Sequence, residues 1–207
     1  MFKGTPEIIE QRREEIVGAC EKLYQTMSFK EITLKEIGNV TSFSRPTIYN
    51  YFQTKEEIFL ALFEREYDRW NEDLEKIWHS NQAYTAEQLA EQIAHSLERR
   101  PQLLRLLSMN NYDMEENSRA ELLASFKTAY GKSLALFRSI LEKNCPEKTT
   151  EEITRIIYVF FPFMFGIYPY AEVTAKQKEA MKEAAVDYQY QSIYEITYNC
   201  MSRLLSD

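Results

Sequence analysis

The sequence predicts an all-α protein, and three observations carry that prediction. First, a Ser or Thr stands three residues ahead of a Glu or Gln at Thr33/Glu36, Thr54/Glu57, Thr85/Gln88, Ser118/Glu121, Thr149/Glu152 and Thr174/Gln177. In this capping box the hydroxyl satisfies an orphan backbone N–H at a helix start, and the acid or amide returns a bond. Second, apolar residues behind these starts recur at helical period. Third, the chain has only 5 glycines in 207 residues, against ~7% in average proteins, so a sandwich or barrel would lack its tight turns.

The elements follow in order. Thr5-Pro6 joins an N-cap to a proline at the first helical position. It opens a helix over about 6–27 with Ile9, Ile16, Cys20, Leu23, Tyr24 and Met27 on one stripe. A short helix follows over 33–40, then a break at Thr41-Ser42-Phe43 and a second short helix over 44–51. A long helix opens at Thr54 and ends near Ser80, with Phe59, Leu62, Phe63, Tyr67, Trp70, Leu74 and Ile77 on its apolar side. Further helices are expected at about 86–99, 101–108, 119–143, 150–168, 175–185 and 188–205, giving nine or ten in all. Pro101 suits a first turn and Pro146 a stop, while the polar stretch 109–117 (MNNYDMEEN) reads as a loop. Two domains are expected, 1–53 and 54–207.

Composition narrows the class. A chain 44% hydrophobic and 28% charged can build a packed core, which excludes a wholly disordered protein. Cys20, Cys145 and Cys200 are odd in number and widely spaced, so neither a disulfide framework nor a metal knuckle is expected. With only His79 and His95 in addition, no metal site is expected. The longest uncharged apolar run, 156–171, is interrupted by Pro162 and Pro169; it falls short of the ~20 residues of a membrane span and reads as a kinked, buried helix. The N-terminal stretch is charged at once, without an apolar signal segment. A cytoplasmic protein with no membrane partner is the expectation.

Net charge is −7, but it is unevenly placed. Residues 1–54 carry seven bases (Lys3, Arg12, Arg13, Lys22, Lys30, Lys35, Arg45) and seven acids, so all of the excess lies after residue 54. A neutral front and an acidic back imply different partners.

The stretch 29–62 is the informative one. Two short helices joined by a turn match a helix-turn-helix, whose second helix enters the DNA major groove. Ile37, Val40, Phe43, Ile48 and Phe52 are expected to form its small core. Between them lie Ser42, Ser44, Arg45, Thr47, Tyr49, Asn50 and Tyr51, a hydrogen-bonding face suited to bases and phosphates.

Here the sequence resembles the TetR family of transcriptional repressors. The resemblance rests on Ser44-Arg45-Pro46-Thr47-Ile48-Tyr49-Asn50-Tyr51-Phe52 followed by Lys55-Glu56-Glu57, with Phe29 ahead of the motif, Thr33 as cap and Ile37 in the core. It is specific over residues 8–65. Four positions depart from the usual pattern: Thr41-Ser42 replaces Ala-Gly in the turn, Tyr51 replaces His, and Pro46 replaces Gly.

Chemistry assigns the contacts. Thr33 and Thr54 cap helix starts, whose free N–H groups suit phosphate oxygens, and Lys55 adds charge there. Tyr49 and Tyr51 are expected to reach phosphates, which fixes register without reading sequence. Arg45 is the expected base reader, bidentate to guanine, with Thr47 second. Ser44, Pro46 and Asn50 share the contact face, and Lys3, Lys30 and Lys35 are further candidates for backbone contact.

One such module touches too few base pairs to define a site, so a homodimer on a palindromic operator is expected. The helices 150–168 and 188–205 are apolar enough to pair, and a four-helix interface between them is what the resemblance implies. The resemblance also implies a central pocket for an unidentified small-molecule effector. Its candidate lining is Tyr67, Trp70, Met109, Tyr112, Phe126, Tyr130, Phe160, Phe163 and Met164, although aromatics at this spacing serve equally as core. No cofactor and no catalytic residue is expected, since no nucleophile motif or carboxylate pair stands out. A ligand-controlled repressor is the first reading. A helical protein-interaction adaptor is the alternative.

Overall fold

A computed structural model describes residues 5–109 and 111–206. Among them lie eleven helices and no strand: α1 (Pro6–Tyr24), α2 (Leu34–Val40), α3 (Arg45–Ile48), α4 (Lys55–Trp78), α5 (Ala86–Glu98), α6 (Pro101–Leu107), α7 (Asn111–Glu116), α8 (Ala120–Asn144), α9 (Thr150–Ala171), α10 (Ala175–Glu183) and α11 (Ile193–Ser206).

Caps explain several of the helix starts. Thr85/Gln88, Thr149/Glu152 and Thr174/Gln177 close full capping boxes at α5, α9 and α10. Ser118 does not: its hydroxyl donates back to the Met114 carbonyl at 2.6 Å. Ser192 forms a complete box with Glu195 (N–H to carboxylate 2.7 Å, Glu195 N–H to hydroxyl 3.2 Å). That box starts α11 at Ile193 rather than 188. The polar stretch expected to be a loop contains α7. Pro162 and Pro169 are both accommodated within α9, which continues to Ala171.

The chain divides into two compact units, Met1–Arg65 with Asn110–Thr128, and Glu66–Met109 with Ala129–Asp207. The expected boundary at 53/54 falls inside the first unit, which also takes in α7 and the start of α8.

In the first unit, Ile16, Cys20, Tyr24, Ile32, Ile37, Ile48, Phe52, Ile58, Phe59 and Phe63 are buried. Tyr24 and Phe29 set their rings edge-on against Phe59, at 5.2 and 4.7 Å. Such pairs add about 0.5–1.5 kcal/mol beyond area burial. Arg65 holds α1 to α4 through Glu14 and Glu21, at 2.8 and 2.9 Å. Burial pushes the Cys20 thiol up to about 12, so it serves as a small core residue.

In the second unit, α11 packs on α5 and α9, and α6 packs on α9. Trp70 is fully buried and its indole N–H donates to Ser96 at 3.0 Å. Buried Asn71 donates to the Ala129 carbonyl at 3.0 Å and accepts from Ser133 at 2.7 Å. These bonds satisfy polar groups whose burial would otherwise cost about 1–3 kcal/mol each. α9 has the length and apolarity of a membrane span, yet one side of it is buried through Ile153, Ile156, Ile157, Phe160, Phe161, Met164 and Ile167. The other side leaves Tyr158, Val159, Phe165 and Tyr170 exposed.

Asp73 is 3% exposed. It accepts from Arg100 Nε at 2.8 Å and Lys76 Nζ at 3.0 Å. Burial alone would raise its carboxyl, but the bonds from Lys76 and Arg100 outweigh that and hold it below the usual value. A depressed folded value contributes stability above the unfolded value of about 3.9 and loses it as pH falls through the folded one. Asp73→Asn is therefore expected to lower stability by about 1–3 kcal/mol at neutral pH. Denaturant titrations should show the gap between the two proteins closing in the acid range; a gap constant with pH contradicts this role.

Candidate nucleic-acid interface

α3 is one helical turn, four residues long. Isolated helices so short do not form in water, so its neighbours must impose its geometry. Ser44 caps it, accepting from the Thr47 N–H at 3.4 Å and sharing a 2.9 Å bond with the Thr47 hydroxyl. Ile48 on its inner side is fully buried with Ile37 of α2 and with Phe52. Val40, expected in this core, is 47% exposed instead, because it lies on the last residue of α2 and turns outward.

α1 supplies a further restraint. Glu15 accepts from the Ser42 N–H and hydroxyl at 3.0 and 2.9 Å, clamping the turn between α2 and α3. That turn runs through Thr41 at φ −109°. The one described non-glycine residue with positive φ is Ala185, so Thr41-Ser42 replaces Ala-Gly without a left-handed residue. The Arg13 guanidinium lies 4.7 Å from the centroid of the Phe52 ring, and Arg12 donates to the Tyr51 hydroxyl at 3.0 Å.

The outward face is then defined. Ser44, Arg45, Pro46, Tyr49 and Asn50 are exposed and Thr47 is half-buried. Arg45 donates to the Tyr49 hydroxyl at 3.0 Å, with its guanidinium 5.6 Å from that ring's centroid. The two side chains thus stand together on the surface. Thr33 is exposed, accepts from the Lys35 and Glu36 N–H groups at 3.2 and 3.4 Å, and bonds the Glu36 carboxylate. Lys30 and Lys35 are exposed. Lys3 lies outside the described residues.

Two expected contact residues are placed differently. Tyr51 is 5% exposed, turned inward with its hydroxyl on Arg12; the helical turn that exposes Asn50 points the next side chain to the core. Lys55 is half-buried. Its ammonium donates to the Phe29 carbonyl at 2.8 Å and lies 4.1 Å from that ring's centroid. It thus secures the chain ahead of α2.

Two residues that local sequence reading left without a role at the site stand out. Glu57, read as the acid of a capping box, is 1% exposed and accepts from the Gln53 N–H at 2.7 Å. Its other partner is Arg119, donating from Nε at 2.7 Å and Nη2 at 3.0 Å. Burial raises the Glu57 carboxyl, but Arg119 and the two backbone N–H groups bring it below the ordinary range. A partner 62 residues away leaves no local pattern in a sequence.

The nine residues named as candidate lining of an effector pocket are placed as follows. Tyr112 and Phe126 belong to the first unit and the other seven to the second. Tyr112 is 84% exposed on α7. Phe126 packs on Phe63 at 4.9 Å. Met109 is half-buried. In the second unit Tyr67 meets Tyr130 at 5.6 Å, Trp70 meets Phe161 at 5.8 Å and Phe137 stacks on Phe160 at 5.1 Å. These distances are ring-on-ring contact, as in a filled core, and Met164 is buried too. Phe163 reaches the surface, where it lines a cavity of about 420 Å³ with Pro162, Gly166 and Ile196. No group of three or more His, Cys, Asp or Glu among the described residues could hold a metal ion.

The comparisons with known proteins agree with this geometry. Residues 16–62 match the family model described as bacterial regulatory proteins, tetR family. Residues 64–189, more than half of the chain, match the tetracyclin repressor-like C-terminal domain. Among curated relatives, the chain is 30% identical over 91 residues to the HTH-type transcriptional regulator YfiR of Bacillus subtilis (strain 168), covering 41% of this chain and 44% of that protein. It is 33% identical over 92 residues to the HTH-type transcriptional regulator HbdR of Aromatoleum sp. (strain CIB), covering 39% and 40%. In both cases the match spans less than half of the relative. Among solved structures, Thermus thermophilus FadR, a TetR-family repressor in complex with lauroyl-CoA, is 19% identical, with a TM-score of 0.60 over 93% of each chain. At that identity the likeness concerns the fold. The chain belongs to the tetR family of bacterial regulatory proteins.

Proposed function

We propose that the chain is a ligand-responsive transcriptional repressor that binds a palindromic operator as a homodimer and is released by a small-molecule effector. The observation that carries this reading is the exposed edge Ser44, Arg45, Pro46, Tyr49 and Asn50, mounted on fully buried Ile37, Ile48 and Phe52. Arg45 reads a base edge, and Tyr49, Ser44, Thr33 and the exposed lysines 30 and 35 hold phosphates. An adaptor would have no use for this arrangement.

Pairing is supported by the outer side of α9. Val159 is 47% and Phe165 44% exposed. Cavities of about 240 and 420 Å³ open along α9 and α11, lined in part by Ile156, Val159, Leu204, Phe163 and Ile196. Exposed apolar surface of this kind fits a second copy, whose matching helices would cover it. The effector is an apolar or cationic aromatic molecule acting in the second unit. Because Tyr67, Trp70, Tyr130 and Phe160 pack tightly, it enters by parting those rings. Differential affinity for the opened conformer then lowers operator affinity, by the 1–3 kcal/mol typical of such coupling.

Gel shifts on the DNA upstream of the chain's own gene test the reading. Binding should be specific and should weaken with salt along a phosphate-contact slope. Arg45→Ala should flatten discrimination at one base pair by about 1–3 kcal/mol. No binding at low salt favours the adaptor. For assembly, sedimentation should show the wild type as a dimer and a folded Val159→Glu variant as a monomer that has lost the operator. An unaltered dimer in that variant places the interface elsewhere.

A further inference from the structure

The segment after α3 carries no helix of its own. Tyr51 and Phe52 are buried, but the backbone from residue 49 to 54 is held by turn bonds such as Tyr51 N–H to the Ile48 carbonyl, at 2.9 Å. A helix only one turn long has few groups to fix its far end, and its last carbonyls lack partners within the helix. Those carbonyls accept instead from the N–H groups of residues 49–52, so whatever holds that segment also helps the exposed edge keep one orientation.

Arg119, just ahead of α8, is placed to do so. Its Nε and Nη2 fork onto the two oxygens of Glu57, at 2.7 and 3.0 Å. The same Nη2 donates to the Tyr51 carbonyl at 3.0 Å. Its backbone N–H reaches Glu57 at 3.2 Å. Glu57 in turn accepts from the Gln53 N–H at 2.7 Å. Beside it, the Thr54 hydroxyl donates to the Asn117 carbonyl at 3.1 Å. Every one of these groups lies in the first unit, and together they stitch residues 51–57 to residues 117–119. The planar guanidinium fork is the donor geometry that a carboxylate and a carbonyl can share; a lysine ammonium lacks it.

We infer that Arg119 is a positioning residue for DNA recognition: through Glu57 and the Tyr51 carbonyl it fixes the far end of the α3 segment, without itself touching DNA. The inference rests on the repressor reading for its consequence and on the free protein for its geometry, so its test has two arms.

In the DNA-free full-length chain, Arg119→Met should speed amide hydrogen exchange at residues 51–53 while exchange within α1 at residues 16–20 stays unchanged. On the DNA upstream of its own gene, measured well below the melting temperature, the same variant should bind on the order of tenfold more weakly. The slope of affinity against salt should stay at the wild-type value, because no phosphate contact is lost. A direct contact would instead reduce that slope by about 1. Glu57→Gln combined with Arg119→Met should be no worse than Arg119→Met alone, as expected for two partners in one interaction. Arg119→Lys, which keeps the charge but not the fork, should fail to restore binding; it also carries the test should the methionine variant not fold. Unchanged exchange at 51–53 overturns the inference, as do unchanged affinity or a reduced slope in a chain whose wild type binds. A wild type that binds no DNA overturns the repressor reading alone, and the exchange arm still decides the role of Arg119.

Discussion

A helix of four residues has no shape of its own to offer, and the exposed edge of this protein depends on how α3 acquires one. Nucleating a turn fixes several dihedral angles for a single hydrogen bond. The cost is met from outside the helix. Beneath it, Ile37, Ile48 and Phe52 exclude water completely. At its start, Ser44 caps the turn and Glu15 of α1 holds Ser42. At its end, Arg12 holds the Tyr51 hydroxyl and Arg119 the Tyr51 carbonyl. Arg45, Pro46, Tyr49 and Asn50 are exposed and hold no part of this framework, and that makes them available to a partner.

The same accounting resolves the conflict between an acidic chain and a polyanionic partner. Of the front acids, Glu14 and Glu21 bind Arg65, Glu15 binds Ser42, and Glu31 binds Ser28. Arg65 offsets the Glu14 and Glu21 charges, while Lys30, Lys35 and Arg45 stand exposed. The excess of acids after residue 54 keeps the rest of the chain from attracting nucleic acid without specificity.

What was legible in the sequence was whatever a short window encodes. Capping boxes at Thr85, Thr149 and Thr174 placed three helix starts, and the α2–α3 pair was visible from its apolar spacing. Ser118 has the spacing of a cap, but its hydroxyl is drawn to Met114. The polar composition of 109–117 concealed α7. Tyr51 reads as a polar contact until the turn after Ile48 directs it inward. Lys55 reads as a phosphate ligand until the Phe29 carbonyl comes into reach. Arg119 looks like one surface arginine among many, since its partners are distant in sequence. For Lys55 and Arg119 a tertiary neighbour decides which of two chemically sound roles the residue takes; for Ser118 a carbonyl four residues back does so. The aromatic set of the second unit is the same problem at larger scale: helical spacing brings rings together, and packing then decides whether they enclose space or fill it.

Guanine-N7 methylation interference on bound DNA tests the central claim most directly, because it reports which groove edge the protein needs. Interference is expected in two successive major grooves on one side of the duplex, about one helical turn apart, with Arg45→Ala abolishing it at one guanine per half-site. Interference confined to a single groove, or binding indifferent to N7 methylation throughout, would contradict it.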